Sequence, residues 1–214
     1  MISPAALVCD FVNSYDVESG TDAIPSPAAL VAWLGRRGLT GPDDTASAAD
    51  LATAVDLREG LRAALRLHHG RGPGGGPGGE GNATGGNTAD GNGDGGNGAA
   101  DELRFSRALD RLPLTLTLTG ETPALEPAVT GALAGLARIA AAVMAVHAEG
   151  NWPRLKVCTE STCQWAFLDS SKNRSRSWCS MKVCGNRTKT RAYRARRQSE
   201  TSSRHLGARF PDTV

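Results

Sequence analysis

Residues 158–184 read CTESTCQWAFLDSSKNRSRSWCSMKVC, which sets four cysteines in the order C-x4-C-x15-C-x4-C. Two close pairs of thiolates suit a tetrahedral zinc ion, because each short loop can wrap back onto one metal. The stretch has too little apolar sequence to bury four unpaired thiols, and two well-separated pairs match zinc folds better than the spacings of ferredoxin clusters. Cys158, Cys163, Cys179 and Cys184 are therefore the expected ligands of one zinc ion per chain. Four protein ligands close the coordination sphere and leave no position for an activated water, so the expected metal is structural and the chain is not expected to be an enzyme. The fifth cysteine, Cys9, stands among Leu7, Val8, Phe11 and Val12, as a buried thiol acting as a small hydrophobe would.

Working outward, Trp165, Phe167 and Leu168 follow the first cysteine pair and Trp178 precedes the second. They suggest a β-hairpin between the pairs that packs its aromatics beside the metal. The tip at residues 170–176 is polar and basic, and Lys172, Arg174 and Arg176 there are candidate phosphate contacts or members of a solvated turn. After Cys184 come Arg187 and a helix over residues 188–198 that carries Lys189, Arg191, Arg194, Arg196 and Arg197. On a helical wheel Arg187, Arg191, Arg194 and Gln198 share one face, while Lys189, Tyr193 and Arg196 lie roughly opposite. A helix that is polar all round is either solvated or docked on a partner, and its like charges repel unless something anionic is near.

The 214 residues have a formal net charge of +2, which conceals two opposed halves. Residues 1–150 carry 10 Lys and Arg against 18 Asp and Glu, giving −8, whereas residues 151–214 carry 14 against 4, giving +10. Positive charge at that density points to a polyanionic partner. Hydrophobic residues make up 40% of the chain but aromatics only 5%, so the core must be built of small aliphatic side chains. No run looks long enough for the roughly 18–20 apolar residues of a membrane span, and no basic segment precedes an apolar one at the start. With cysteines clustered as metal ligands, a cytoplasmic location away from membranes is the expectation.

The rest of the chain reads as mainly α, in an α+β arrangement. Leu7, Val8, Phe11, Val12 and Tyr15 recur with helical period. Ser26-Pro27 looks like an N-cap followed by proline at the first helical position, and Ser47 with Asp50 resembles a capping box that opens a longer helix bearing Leu51, Val55, Leu61 and Leu65. Residues 70–98 hold 15 glycines in 29 positions, which leaves nothing to offset the entropy of ordering them, so a disordered insertion is expected. Order returns at Ala100 with a short helix. Leu114, Leu116 and Leu118 then alternate with threonines as a strand with one buried face, with residues 121–125 as its partner. A last helix from about Pro127 to His147 ends near Gly150, and Asn151-Trp152-Pro153 is a hinge into the basic module. The expected organisation is a helical domain over 1–150, a finger with its hairpin and basic helix over 152–198, and a tail over 199–214.

Cys184-Gly185-Asn186-Arg187 is the sequence that gives the CGNR zinc fingers their name, and Phe167-Leu168-Asp169 through Trp178-Cys179-Ser180-Met181 resembles the stretch before it in that family. This likeness covers residues 152–197; Ser177 stands where a second arginine beside Arg176 is usual. Asp10-Phe11-Val12-Asn13-Ser14 resembles the DFVN(T/S) signature of the ABATE domain that precedes such fingers. The resemblance implies a mostly helical N-terminal domain with a small hairpin, a zinc-bound finger, and a role in stress-responsive transcription regulation. The leading expectation is a DNA-binding regulator whose acidic domain senses a signal or forms a homodimer. An RNA-binding module is the alternative, with Tyr193 as the one aromatic on the basic helix; a zinc-stabilised protein-interaction module is the other. A nuclease is disfavoured because residues 151–204 lack histidine, and His68, His69, His147 and His205 read as incidental. Asp10 and Asn13, polar residues in an apolar helix, are candidate contacts for a small-molecule effector, against the plainer role of a helix–helix hydrogen bond or cap.

Deleting residues 72–96 is expected to leave the thermal midpoint little changed, because loop closure costs free energy only as the logarithm of loop length. A scanning calorimetry trace that loses its cooperative transition on deletion would show the segment to be structural.

Overall fold

Ser3 opens the first helix, α1 (Pro4–Val12), by accepting the Ala6 N–H at 3.3 Å with proline at the first helical position. The structure is a computed structural model that describes residues 2–69, 97–118 and 123–206, so the expectation of a disordered insertion falls largely outside the described residues. α1 stops at Val12, and the chain turns into the short hairpin β1 (Tyr15–Asp16) and β2 (Thr21–Asp22), paired antiparallel as Tyr15↔Asp22 and Asp16↔Thr21. Tyr15 is thus a strand residue and not the end of the helical stripe. The turn is held by the Asp16 carboxylate, which accepts the Glu18 N–H at 2.9 Å, and by Gly20 at φ 69°.

The next two helices start as their sequences dictate. In α2 (Pro27–Gly35) the Ser26 hydroxyl accepts the Ala29 N–H at 3.2 Å, and in α3 (Ala48–Arg66) Ser47 and Asp50 exchange backbone-to-side-chain bonds at 3.2 and 2.8 Å. These reciprocal bonds satisfy amides the helix itself cannot pair. α4 (Asn97–Asp110) begins slightly before the expected Ala100 and packs along α3, where Gly60 makes room for it: a Cβ there would lie 2.0 Å from the Phe105 ring. Strands β3 (Leu114–Thr117) and β4 (Ala124–Pro127) form a second hairpin, followed by α5 (Gly131–Ala148). α5 ends with Gly150 at φ 70°, where the Gly150 and Asn151 N–H groups return to the carbonyls of His147 and Val146, the paired bonds of a Schellman stop.

The core gathers Val8, Phe11, Leu30, Leu34, Leu57, Leu61, Leu65, Leu136 and Ile139, all buried, with Trp33 edge-on to Phe11 at 5.6 Å between ring centroids. Aliphatic side chains dominate it, in line with the low aromatic content. Two expectations about the middle of the chain need correction. Leu116 and Leu118 are 60% and 72% exposed, so β3 has no buried leucine face; Leu114 alone of the three packs on the core, because the hairpin meets α5 through β4. Among the described residues α5 is long and apolar enough by composition to cross a membrane. Its apolarity comes from eight alanines interspersed with Leu133, Leu136, Ile139, Val143 and Val146. Its buried face packs in the core, while the exposed Arg138 donates to the Leu39 carbonyl at 2.6 Å.

The C-terminal part is built onto this core. After a 3-10 turn (Trp152–Arg154), β5 (Leu155–Val157) pairs antiparallel with β6 (Ala166–Leu168) in the register Leu155↔Leu168, Lys156↔Phe167 and Val157↔Ala166. Leu155, Val157 and Ala166 are buried in the same core as Phe11 and Leu65. The reversal of charge near residue 150 is therefore no break in packing, and Trp152, edge-on to His68 at 5.0 Å, is a packed joint where a hinge was expected. Both outer edges of the hairpin are capped by side chains. His68 Nδ1 and His69 Nε2 donate to the carbonyls of Leu155 and Val157 at 2.6 and 2.5 Å, while Asn13 donates to the Ala166 carbonyl at 2.9 Å and accepts its N–H at 2.7 Å. His68 and His69 are thus not incidental: each satisfies an edge group that would otherwise be left open.

Arg62, buried on α3, joins these parts. Its guanidinium donates to the Val12 carbonyl at 2.7 Å, to Tyr15 at 3.1 Å and to Gln164 at 2.9 Å, and its Nε pairs with Glu59 at 3.0 Å. Arg58, one turn earlier, holds the β1–β2 hairpin through Asp22 at 2.9 and 3.1 Å and donates to the Ser14 hydroxyl at 3.2 Å. Arg62→Met is expected to destabilise the protein by at least about 3 kcal/mol, because it leaves three buried carbonyls and Glu59 short of a donor. Urea unfolding measures it, and a loss under about 1 kcal/mol would show that water can replace the guanidinium.

Candidate metal centre and basic helix

The turn between β5 and β6 is itself the first cysteine loop. Cys158 follows β5 directly and donates its N–H to the Trp165 carbonyl at 2.9 Å, and Cys163 closes the loop through the Glu160 carbonyl at 2.9 Å. The hairpin therefore encloses the first pair instead of lying between the pairs. Of the large side chains expected beside the metal, Trp178 packs against the cysteines and Phe167 is buried, but Trp165 and Leu168 are exposed. The second pair is set by a π-helical turn (Met181–Gly185) whose start is capped by the Ser180 hydroxyl, 3.3 Å from Val183 N. α6 (Asn186–Leu206) continues straight out of that turn, starting before and ending beyond the expected 188–198.

The four sulfurs lie within 4.8 Å of one another, with Cys163–Cys179 at 3.6 Å and Cys179–Cys184 at 3.7 Å. Zinc–sulfur bonds of ~2.3 Å in a tetrahedron require sulfurs ~3.8 Å apart, so the spacing fits that ion. Burial and the neighbouring sulfurs push the Cys179 thiol far above its ordinary value and Cys184 up to about 11. A dication bound among thiols crowded in this way displaces their protons to solvent and offsets the repulsion between the thiolates. Cys158, Cys163, Cys179 and Cys184 can hold one structural zinc ion, with no place left for a reacting ligand. Cys9 is not part of the cluster; burial and the Asp10 carboxylate push it up to about 12, which keeps it protonated.

Two buried carboxylates organise the basic sequence around the metal. Asp169 accepts from Lys156 Nζ at 2.8 Å, from the Ser171 N–H and hydroxyl at 2.9 and 2.6 Å, and from the Arg176 N–H at 2.9 Å. Its burial opposes ionisation, but Lys156 and these donors hold its carboxyl well below the usual range. Lys156 also donates to the carbonyls of Arg174 and Arg176, so the loop after β6 is wrapped round one buried ammonium. Glu160, in the first cysteine loop, accepts from Thr162 at 3.2 Å, Thr188 at 3.0 Å and Arg191 at 3.1 Å. Its burial too is outweighed, by the Thr188 hydroxyl and the Arg191 guanidinium, which keep it lowered. Glu160 thereby ties α6 to the metal loop. Asp169 stands in the Phe167-Leu168-Asp169 stretch of the family resemblance, whereas the only local signal for Glu160 is the scarcity of acids in so basic a segment.

The candidate nucleic-acid residues divide by surroundings. Arg176 folds inward, donating to the Trp178 carbonyl at 3.0 Å and to the Cys179 carbonyl, with its guanidinium 5.1 Å from the Phe167 ring centroid; it braces the second cysteine loop. Arg187 pairs with Glu18 of the β1–β2 turn at 2.9 Å, and Arg191 with Glu160. Lys172 is exposed at the loop tip and Arg174 half-buried beside it, at φ 51°. Lys189, Arg194, Arg196 and Arg197 are exposed along α6, Arg197 with its guanidinium 5.9 Å from the Tyr193 ring centroid.

Of the two candidate effector residues, Asn13 is fully engaged within the fold, whereas the Asp10 side chain is 45% exposed. Both ends of the Asn13 amide are taken by Ala166, and Asp10 pairs at 3.3 Å with Arg37, whose guanidinium stacks 3.6 Å from the Trp33 ring centroid. In Cys-Gly-Asn-Arg, Cys184 is a ligand and Gly185 admits its neighbours, since a Cβ there would lie 2.4 Å from the Met181 sulfur. Asn186 completes the turn by donating to the Lys182 carbonyl at 3.0 Å. The ABATE family, described as "Putative stress-induced transcription regulator", matches residues 5–148, and the CGNR zinc finger matches residues 154–197. The chain belongs to the ABATE family. No curated protein matches it. Of the ABATE signature residues, Phe11 and Val12 lie in the core, Asn13 holds β6 of the finger, Ser14 meets Arg58 and Asp10 pairs with Arg37.

Cys179→Ser is expected to abolish stoichiometric zinc by elemental analysis and to expose the amides of residues 176–198 to hydrogen exchange. β5 and β6 should stay protected, because the core and the capped edges hold them without the metal. Full protection of residues 176–198 in the metal-free variant, or iron in place of zinc, would refute the assignment.

Proposed function

We propose that this ABATE-family protein is a cytoplasmic, DNA-binding transcription regulator in which the zinc centre fixes α6 as the contact element and the acidic helical domain carries the regulatory role. The observation that carries this reading is the contrast along α6. Its first turns are fastened to the body by Asn186, Arg187, Thr188 and Arg191. From Lys189 to Gln198 every side chain is exposed and no apolar face turns inward. A rigidly mounted cationic rod of this kind presents charge to phosphates with little entropy left to lose.

The division among the arginines decides which residues to change. Arg176, Arg187 and Arg191 have carbonyl or carboxylate partners within the chain, so reversing them would disturb the finger as well as any interface. Lys189→Glu with Arg194→Glu avoids that. The double variant is expected to keep one zinc and its thermal midpoint, to lose most of its duplex DNA affinity, and to flatten the slope of log K against log salt by about one unit per phosphate contact removed. Unchanged affinity and slope in a protein with full zinc content would exclude α6 as the DNA contact and favour an RNA or protein partner.

A further inference from the structure

The arrangement of charge around α6 specifies more than a polyanion. The helix runs 21 residues from Asn186 to Leu206, about 31 Å at 1.5 Å per residue. At 100° per residue, Lys189 and Arg196 lie about 140–180° round the axis from Arg187, Arg191 and Arg194. Both rows are at the protein surface; over residues 187–198 one arc between them carries Thr188, Ala192 and Ala195, and the other carries Thr190, Tyr193 and Arg197. A helix laid along the outside of a nucleic-acid rod needs cations on one arc alone. Cations on opposed sides answer two phosphate walls, one on each side of the helix.

We propose that α6 enters the major groove of B-form DNA, with Arg194 facing one strand's phosphates and the Lys189/Arg196 row facing the other's; the inference rests on the DNA-binding reading above. The B-form major groove is about 12 Å wide and admits an α-helix, whereas the A-form major groove of an RNA duplex is too narrow and deep for one. Thr188 on the first of these arcs is taken up by Glu160 of the metal loop, but beyond it Ala192 and Ala195 are exposed and let the helix axis sink toward the groove floor. The attachment geometry agrees. Glu18 and the acidic β1–β2 hairpin sit at the base of the helix, against Arg187, so repulsion keeps the body away from the phosphates and leaves the projecting part of α6 to make the contact.

The test uses the full-length zinc-loaded protein and four probes: a 30-base-pair DNA duplex, the same duplex carrying glucosylated 5-hydroxymethylcytosine to fill the major groove, the plain duplex with distamycin in its minor groove, and an RNA duplex of the same sequence. The expected result is binding weakened about tenfold or more by glucosylation and on the RNA duplex, with no effect of distamycin. Lys189→Ala and Arg194→Ala, on opposite rows, should each weaken binding and flatten the salt slope by about one unit. Equal affinity for the glucosylated duplex, competition by distamycin, or a response to only one of the two substitutions overturns groove insertion while leaving DNA binding intact. Absence of any salt-dependent duplex binding overturns the functional reading and the insertion together.

Discussion

The guanidinium of Arg62 is the joint on which the rest of the molecule depends. It lies in the interior of α3, and its donors reach the end of α1, the start of β1 and the first cysteine loop at once. A buried cation is costly to desolvate, and it persists here because its geometry satisfies each donor with a carbonyl or carboxylate. An apolar side chain of the same volume could fill the space but could not terminate three separate segments. The planar fork suits that task in a way a lysine ammonium would not. Around this joint the other long-range bonds fall into place, with Arg58 holding the acidic hairpin and Asn13, His68 and His69 holding the two edges of the β5–β6 hairpin.

Much of this was readable in advance, for reasons that can be named. The zinc ligands follow from spacing alone, because four thiols so close in sequence have few other uses. Ser26-Pro27 and Ser47 with Asp50 set their helix starts by local bonds that need no tertiary partner, and Gly150 sets a helix end in the same way. Where the reading failed, the deciding contact was distant in sequence. Arg58 and Arg62 look like surface residues of an amphipathic helix until Asp22, Val12 and Gln164 are brought beside them. Nothing local tells that Leu116 and Leu118 lack a covering layer, or that the first cysteine pair lies inside a hairpin whose strands flank it.

The candidate site shows the same division. Charge density identified α6 as the exposed basic element, since a stretch without an apolar stripe cannot be packed. Which arginines are available could not be read, because that depends on where the scarce acids fall. Glu160 sits two residues after Cys158 and reaches Arg191 only because the metal loop and α6 are folded together, and Glu18 reaches Arg187 across 169 residues of sequence. The pull of these carboxylates gives α6 a defined direction relative to the body, which a bare cationic tail would lack.

The capping of the β5–β6 edges has a consequence for how such a protein can be taken apart. A finger held by its metal alone could be cut out and grafted onto another chain. Here Ala166 borrows its missing strand partner from Asn13, and Leu155 and Val157 borrow theirs from two histidines at the end of a helix nearly ninety positions upstream. An excised finger would present two unsatisfied strand edges and a bare apolar underside, the combination that leads to stacking between chains. The two parts are therefore not interchangeable cassettes but a matched pair: a chimera that joins this finger to a foreign helical partner would have to bring the asparagine and both histidines along with it.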